Sequence, residues 1–197
     1  MSRAALFLDR DGVINADHGH VGRREEFDFL PGIFELVKSA NAQGYVVLVV
    51  TNQAGIARGL YSERDFRELT IWMMGEFESR AARIDCVYYC PFHPQHGTGF
   101  FRRESAGRKP APGMFLRAAE DWNLDLAASI MVGDKPTDVV AAAAAGITSL
   151  FIYDSSASQE GASPISDFRE VLPRLRERRR DVLAVLDSPE DRIVCVG

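Results

Sequence analysis

The chain has 197 residues, 46% hydrophobic and 26% charged, with a formal net charge of −5 at pH 7. That balance suits a single α/β domain with a sizeable core and leaves no general nucleic-acid footprint. Cys86, Cys90 and Cys195 make no even disulfide framework and fit a reduced, cytoplasmic protein. Asp9 and Asp11 interrupt the apolar start that a signal peptide needs, and no stretch approaches a membrane span.

Residues 4–8 are a continuous apolar run, which predicts a central parallel strand buried on both faces. The run ends in Asp9-Arg10-Asp11-Gly12. In an extended chain i and i+2 share a face, so the two carboxylates stand together, and Gly12 lets the chain turn away. Close carboxylates at the end of an apolar strand are costly unless a cation lies between them. Mg²⁺, a hard ion that takes oxygen ligands, is the natural candidate. The bland alternative is a solvated turn with two exposed acids.

An irregular stretch follows, with Asp17-His18-Gly19-His20. Its histidines are either ligand contacts or exposed loop residues. Pro31-Gly32 opens a predicted helix over 33–43, closed by Gly44. Residues 45–50 are all β-favouring and predict a second buried strand. It runs into Thr51-Asn52-Gln53-Ala54, a hydroxyl and two amides where parallel sheets bind ligands. Ser62 and Asp65 resemble a capping box, opening a helix to about residue 81 with Phe66, Leu69, Met73 and Phe77 on its core face. A third strand is expected over 84–89.

Residues 90–112 lack periodicity. A loop this long inside a compact domain is often functional, and this one holds Cys90, His93, His96, Arg102, Arg103, Arg108 and Lys109. A helix over 112–122 and a strand over 129–132 come next. That strand ends in Gly133-Asp134-Lys135-Pro136-Thr137-Asp138, another acidic strand end. A helix over 139–145, a strand over 148–153, a loop over 154–164 and a charged helix over 167–179 complete the pattern. The basic run Arg176, Arg178, Arg179 and Arg180 reads as a solvated helix end. Residues 182–186 and 193–196 are apolar, with no predicted packing. The reading is one domain over 1–197, with a core at 4–153 and a C-terminal helix and tail at 165–197.

A doubly wound, mostly parallel sheet brings Asp9/Asp11, Thr51/Asn52 and Asp134/Asp138 to one edge. The set meets the needs of phosphoryl transfer. Asp9 is the candidate nucleophile, forming an aspartyl-phosphate. Asp9, the backbone carbonyl of Asp11 and Asp134 would hold Mg²⁺, with Asp138 supporting them from behind. Asp11 is the candidate acid and base. Thr51 and Lys109 would hold the phosphate oxygens.

These residues carry a resemblance. Asp9-x-Asp11-Gly12-Val13, Thr51-Asn52, Lys109 and Gly133-Asp134-x-x-x-Asp138 look like the four motifs of the haloacid dehalogenase-like phosphatases, in order and over residues 4–153. Longer matches resemble the branch of the heptose 1,7-bisphosphate phosphatases, with the histidinol-phosphate phosphatases close by. They are residues 8–15, 17–19 and 51–59, Tyr89-Cys90-Pro91, Arg108-Lys109-Pro110 and residues 131–135. The resemblance implies a Rossmann-like fold without a large cap domain and hydrolysis of the C7 phosphate of a heptose bisphosphate, or of another small phosphomonoester. It implies that Asp17, His18, Gly19, His20, Thr51, Asn52, Gln53, Ala54, Arg58, Arg108 and Lys135 bind the substrate. The expected partner is a small phosphorylated sugar, and the expected state is a monomer. The family's long loop usually holds a structural zinc through Cys-x-His and Cys-x-Cys pairs. Here Phe92, Ser105 and Gly107 stand at three of those positions, so no zinc is expected. A phospho-accepting signalling receiver also combines acids, Thr and Lys on a parallel sheet, but it would lack Asp-x-Asp-Gly at the first strand.

Overall fold

The computed structural model describes residues 2–97, 99–153, 159–175 and 189–197. Its centre is a seven-stranded parallel sheet. In chain order the strands are β1 (Ala5–Leu8), β2 (Val46–Asn52), β3 (Cys86–Cys90), β4 (Ile130–Gly133), β5 (Ser149–Tyr153), β6 (Ser163–Ile165) and β7 (Ile193–Cys195). Across the sheet they run β6-β5-β4-β1-β2-β3-β7. The chain therefore winds one way from β1 to β3 and the other way from β4 to β6, and β1 lies at the switch point where such sheets bind ligands.

Strand alternation explains why the β1 run carries no polar residue. Leu6 and Leu8 join one apolar cluster, Ala5 and Phe7 the other. The first cluster includes Ile33, Leu36, Val37 and Ala40 of α1 (Ile33–Ala42). It also takes the predicted stripe Phe66, Leu69, Met73 and Phe77 of α3 (Glu63–Glu78). The second takes Met114, Phe115 and Ala118 of α4 (Gly113–Trp122) and Val139, Ala141 and Ala142 of α5 (Pro136–Ala145). A single turn, α2 (Ala54–Ala57), follows β2. The Ser62–Asp65 capping box at the start of α3 is formed as read.

Two expectations need correction. The stretch read as a loop over 154–164 contains β6, with Pro164 inside it. Proline is tolerated there because β6 is the sheet's edge. The predicted helix over 167–179 is two 3-10 turns, Phe168–Glu170 and Leu172–Arg174, followed by an extended Leu175. Pro173 supplies no N–H to an α-helical ladder. Residues 176–179, the rest of the basic run and residues 182–186 lie outside the described residues. The tail contributes β7, paired with β3 through Val87↔Ile193, Tyr88↔Val194 and Tyr89↔Cys195. Among the described residues, no helix is long and apolar enough to cross a membrane.

Candidate active site

Register sets the site. Leu8 stands level with Val49 of β2 and Val132 of β4, so Asp9, Thr51 and Asp134 leave three neighbouring strands within a residue or two of one another. Asp9 is 5% exposed. One of its carboxylate oxygens accepts the Arg10 N–H at 2.7 Å and lies 3.0 Å from the Lys109 ammonium. Lys109 Nζ also donates to the Val50 carbonyl at 2.8 Å and stands 2.6 Å from Asp138. Asp138 is spent on this framework, since its other oxygen accepts the N–H groups of Asp134 and Lys135.

Carboxylate oxygens of Asp9, Asp134 and Asp138 lie within 4.8 Å of one another. Oδ1 of Asp134 is buried and has no hydrogen-bond partner. Gly12 makes room for this carboxylate, because a Cβ there would stand 2.2 Å from Asp134 Oδ2. Burial pushes the Asp9 carboxyl up to about 8. Lys109 opposes that rise, while Asp138, Asp134 and Asp11 add to it. Burial also pushes Asp134 up to about 6, against Lys135 and with Asp138. Burial pulls Lys109 down, but Asp138 and Asp9 outweigh it and hold the ammonium above its ordinary range. Three clustered carboxylates, with Oδ1 of Asp134 unpartnered, fit a divalent cation with oxygen ligands.

Asp11 is held from three sides. Arg10, 1% exposed, grips it through Nε and Nη2 and ties itself to the Val21 carbonyl at 2.6 Å. Asn15 Nδ2 donates to Asp11 Oδ1 at 3.1 Å. Gln53 Nε2 donates to Asp11 Oδ2 at 3.2 Å and to Thr51 Oγ1 at 2.9 Å, and its carbonyl accepts the Tyr61 hydroxyl at 2.6 Å. Sequence reasoning gave Arg10, Asn15 and Tyr61 no role. The signal for Arg10 was there, since a charge between two strand-end acids is buried only if it is paired.

The other candidates fall into two groups. Lys135 reaches over Asp134 (3.4 Å) to Asp17 (2.8 Å), whose other oxygen accepts the Gly19 N–H. Partial burial raises the Asp17 carboxyl, but Lys135 and that N–H outweigh it and hold it low. His18 pairs with Asp28 at 2.8 Å, and His20 takes the left-handed conformation. This loop therefore rims the acidic cluster. On the other side, Asn52 spends its amide on the backbone of Lys109, Ala54 is buried, and Arg58 is exposed at the end of α2. Arg108 donates to the Phe92 carbonyl at 3.2 Å.

Comparison with known proteins agrees with this geometry. A family model described as HAD-hydrolase-like matches residues 106–178. The chain is 52% identical over 179 residues to D-glycero-alpha-D-manno-heptose-1,7-bisphosphate 7-phosphatase of Burkholderia mallei, covering 89% of this chain and 95% of that one. It is 50% identical over 147 residues to the D-glycero-beta-D-manno-heptose-1,7-bisphosphate 7-phosphatase of Vibrio cholerae, covering 75% and 79%. Among solved structures, the D,D-heptose 1,7-bisphosphate phosphatase of B. bronchiseptica, complexed with magnesium and phosphate, superposes with a TM-score of 0.76 at 28% identity. It covers 87% of this chain and 97% of that one. With strand ends, acidic cluster and relatives in agreement, the chain belongs to the haloacid dehalogenase-like phosphatases.

Proposed function

We propose that this protein hydrolyses the 7-phosphate of a D-glycero-manno-heptose 1,7-bisphosphate in the presence of Mg²⁺, through an aspartyl-phosphate. The observation that carries the phosphatase chemistry is the buried Lys109 ammonium, bridging Asp9 and Asp138 beside the open oxygen of Asp134. The names of the relatives support the substrate.

Asp9, Asp134 and the backbone carbonyl of Asp11 would hold the ion. Bound Mg²⁺ neutralises the carboxylates and the incoming phosphate so that two anions can meet. The chain's own groups then divide the work. The free oxygen of Asp9 attacks phosphorus, and the bond from phosphorus to the sugar oxygen breaks. Asp11 gives that oxygen its proton. In the second half, Asp11 takes a proton from water as the water attacks phosphorus, and the Asp9–phosphate bond breaks to release inorganic phosphate. Thr51 and Lys109 steady the equatorial oxygens. Asp138 holds Lys109 and the 134–135 backbone in place. Arg10, Asn15 and Gln53 keep Asp11 at the mouth of the site.

Asp17, His18, Gly19 and His20 with Lys135 on one side, and Arg58 and Arg108 on the other, are the proposed substrate contacts. No large insertion separates β1 from β2, so these loops would set the specificity. The three free thiols suit a reducing cytoplasm.

The test is phosphate release with excess Mg²⁺ from both anomers of heptose 1,7-bisphosphate, hexose bisphosphates and histidinol phosphate. Fastest steady turnover on a heptose bisphosphate is expected. Preference for histidinol phosphate would move the substrate assignment. One stable phosphate per chain without turnover would overturn the reading.

A further inference from the structure

We propose that a second cavity, between the end of α4 and the β3–β7 edge of the sheet, binds a free α-amino acid with an apolar side chain. The site is separate from the phosphatase centre and independent of the substrate reading. The cavity measures about 340 Å³, near the lower end of the range for small-molecule sites. It lies where the strands begin, away from the acidic cluster, since Arg3 precedes β1 and Asp9 follows it. Tyr88 of β3 and Val194 of β7 stand level and form the floor, beside Cys86. Arg117, Asp121 and Trp122 of α4 form one wall, and Arg3 and Asp191 complete the lining.

Most of the polar lining is already paired. Asp121 accepts Arg117 Nε at 2.9 and 3.0 Å and the Tyr88 hydroxyl at 3.0 Å. That hydroxyl in turn accepts the Trp122 indole N–H at 3.0 Å. Burial pushes the Cys86 thiol up to about 12, so it lines the slot as a neutral group. Two charges are left over. The Arg3 guanidinium lies 5.9 Å from the Trp122 ring centre, and among the described residues it forms no ion pair. Its backbone is pinned to Asn123 and Asp125, so the cation has a fixed base. Asp191 forms no ion pair among the described residues either. It sits in the 3-10 turn Glu190–Arg192, which Arg192 anchors to Glu78 and to the Ile84 carbonyl. A free cation, a free anion and an apolar slot made by Val194, Cys86 and Trp122 match the three parts of an apolar amino acid. The planar fork of Arg3 suits the carboxylate, and Asp191 accepts from the ammonium. The lining holds two cations and two anions. A zwitterion keeps that balance, whereas a phosphate monoester would leave its own charge uncompensated.

The chain's two tryptophans give the test its readout. The Trp122 indole N–H points into the hydrogen-bond chain of the cavity, while Trp72 packs on Phe27 and Phe29 with the other apolar cluster. The ¹⁵N-labelled protein is titrated into the millimolar range with L-leucine, L-phenylalanine, leucinamide and N-acetylleucine. The two amino acids are expected to move the Trp122 indole signal saturably and leave that of Trp72 in place. Leucinamide, which lacks the carboxylate, and N-acetylleucine, which lacks the ammonium, are expected to bind about tenfold or more weakly. Arg3→Gln and Asp191→Asn should each weaken leucine binding to a similar degree, with the Trp72 signal and phosphate release unchanged as the check on folding. No saturable Trp122 shift with either amino acid overturns the proposal. So does equal binding of the amide and the acetylated form, or leucine affinity within twofold of the wild type in both variants.

Discussion

The Asn52 side chain holds the backbone of Lys109 at both ends. Its Oδ1 accepts the Lys109 N–H and its Nδ2 donates to the Lys109 carbonyl, each at 3.0 Å. The two residues are 57 positions apart, one closing β2 and the other ending the long loop. The amide thus fixes where the loop delivers its ammonium. Asn52→Ala is expected to cost roughly 1–3 kcal/mol for the two bonds and to lower kcat/KM about tenfold. Urea unfolding and steady-state kinetics check both. A variant with full activity would mean that the loop is held elsewhere.

Asp9→Asn is expected to abolish turnover, because an amide is neither a comparable nucleophile nor an equal ligand for a hard cation. Asp11→Asn should lose on the order of 10²–10⁴-fold in kcat, with Mg²⁺ binding largely kept, since only its backbone carbonyl is a proposed ligand. Rapid-quench and metal-titration measurements separate the two effects. Near-normal turnover in either variant removes the assigned role.

Much of this site was legible because its signals are local. Apolar runs that end in Asp9, Thr51 and Asp134 mark strand ends without any knowledge of what lies beside them. The partners of those residues are another matter. That Asn52 binds the loop backbone, that Gln53 links Asp11 to Tyr61, and that Arg10 folds back to Val21 all follow from contacts the sequence order does not display. The two misread segments share a cause. Pro164 and Pro173 each remove a donor, and what that does depends on whether the segment is an edge strand or a would-be helix.

Protonation of the acidic cluster gives a pH signature. With the Asp9 carboxyl raised to about 8 in the folded, metal-free protein, the folded state binds a proton that the unfolded state has released. The Asp9 contribution to the stability of the metal-free protein is therefore fully present below the ordinary carboxyl range and is lost as pH rises towards 8. Mg²⁺ competes with that proton, so the stabilisation it adds should grow with pH and level off above about 8. Thermal melts from pH 5 to 9, with and without Mg²⁺, read this directly. A magnesium effect independent of pH would mean that Asp9 is already ionised in the metal-free state.

The hydrogen-bond chain makes Tyr61 a candidate positioning residue. Its ring lies over Gly22 and Gly55, where a Cβ would come within 2.4 Å of it. Burial raises the hydroxyl to about 12, with Arg10 opposing and Asp11 adding, so it remains a donor. By donating to the Gln53 carbonyl it turns the Gln53 NH₂ towards Asp11 and Thr51. Tyr61→Phe should lower kcat about 2- to 10-fold, the worth of one hydrogen bond, with KM nearly unchanged. A rise in KM alone would make Tyr61 a substrate contact instead.

The last prediction concerns how the 90–112 loop is held. Of the three phenylalanines that could pack it down, Phe92 is 2% exposed, Phe101 is half-buried, and Phe100 is 69% exposed. Phe100 is thus no buried anchor. Its ring and that of Phe92 flank the Arg103 guanidinium, at 4.7 and 3.9 Å. The rest of the clamp comes from Val196, the residue after β7. Val196 N–H donates to the Tyr89 carbonyl, and the Val196 carbonyl accepts from Ser105, whose oxygen also receives the Gly107 N–H and faces Cys90. Ser105 and Gly107, which stand where the resemblance places a cysteine pair, are thereby tied to the residue that follows the last strand. Purified protein is expected to contain well under one zinc per chain, and a zinc-selective chelator should leave activity with excess Mg²⁺ unchanged. Phe92→Ala should cost roughly 3–5 kcal/mol and lower activity by loosening the approach of Arg108 and Lys109. Stoichiometric zinc, lost together with activity on chelation, would sink the idea of a metal-free clamp and draw His93, His96 or Cys86 towards Cys90 as ligands.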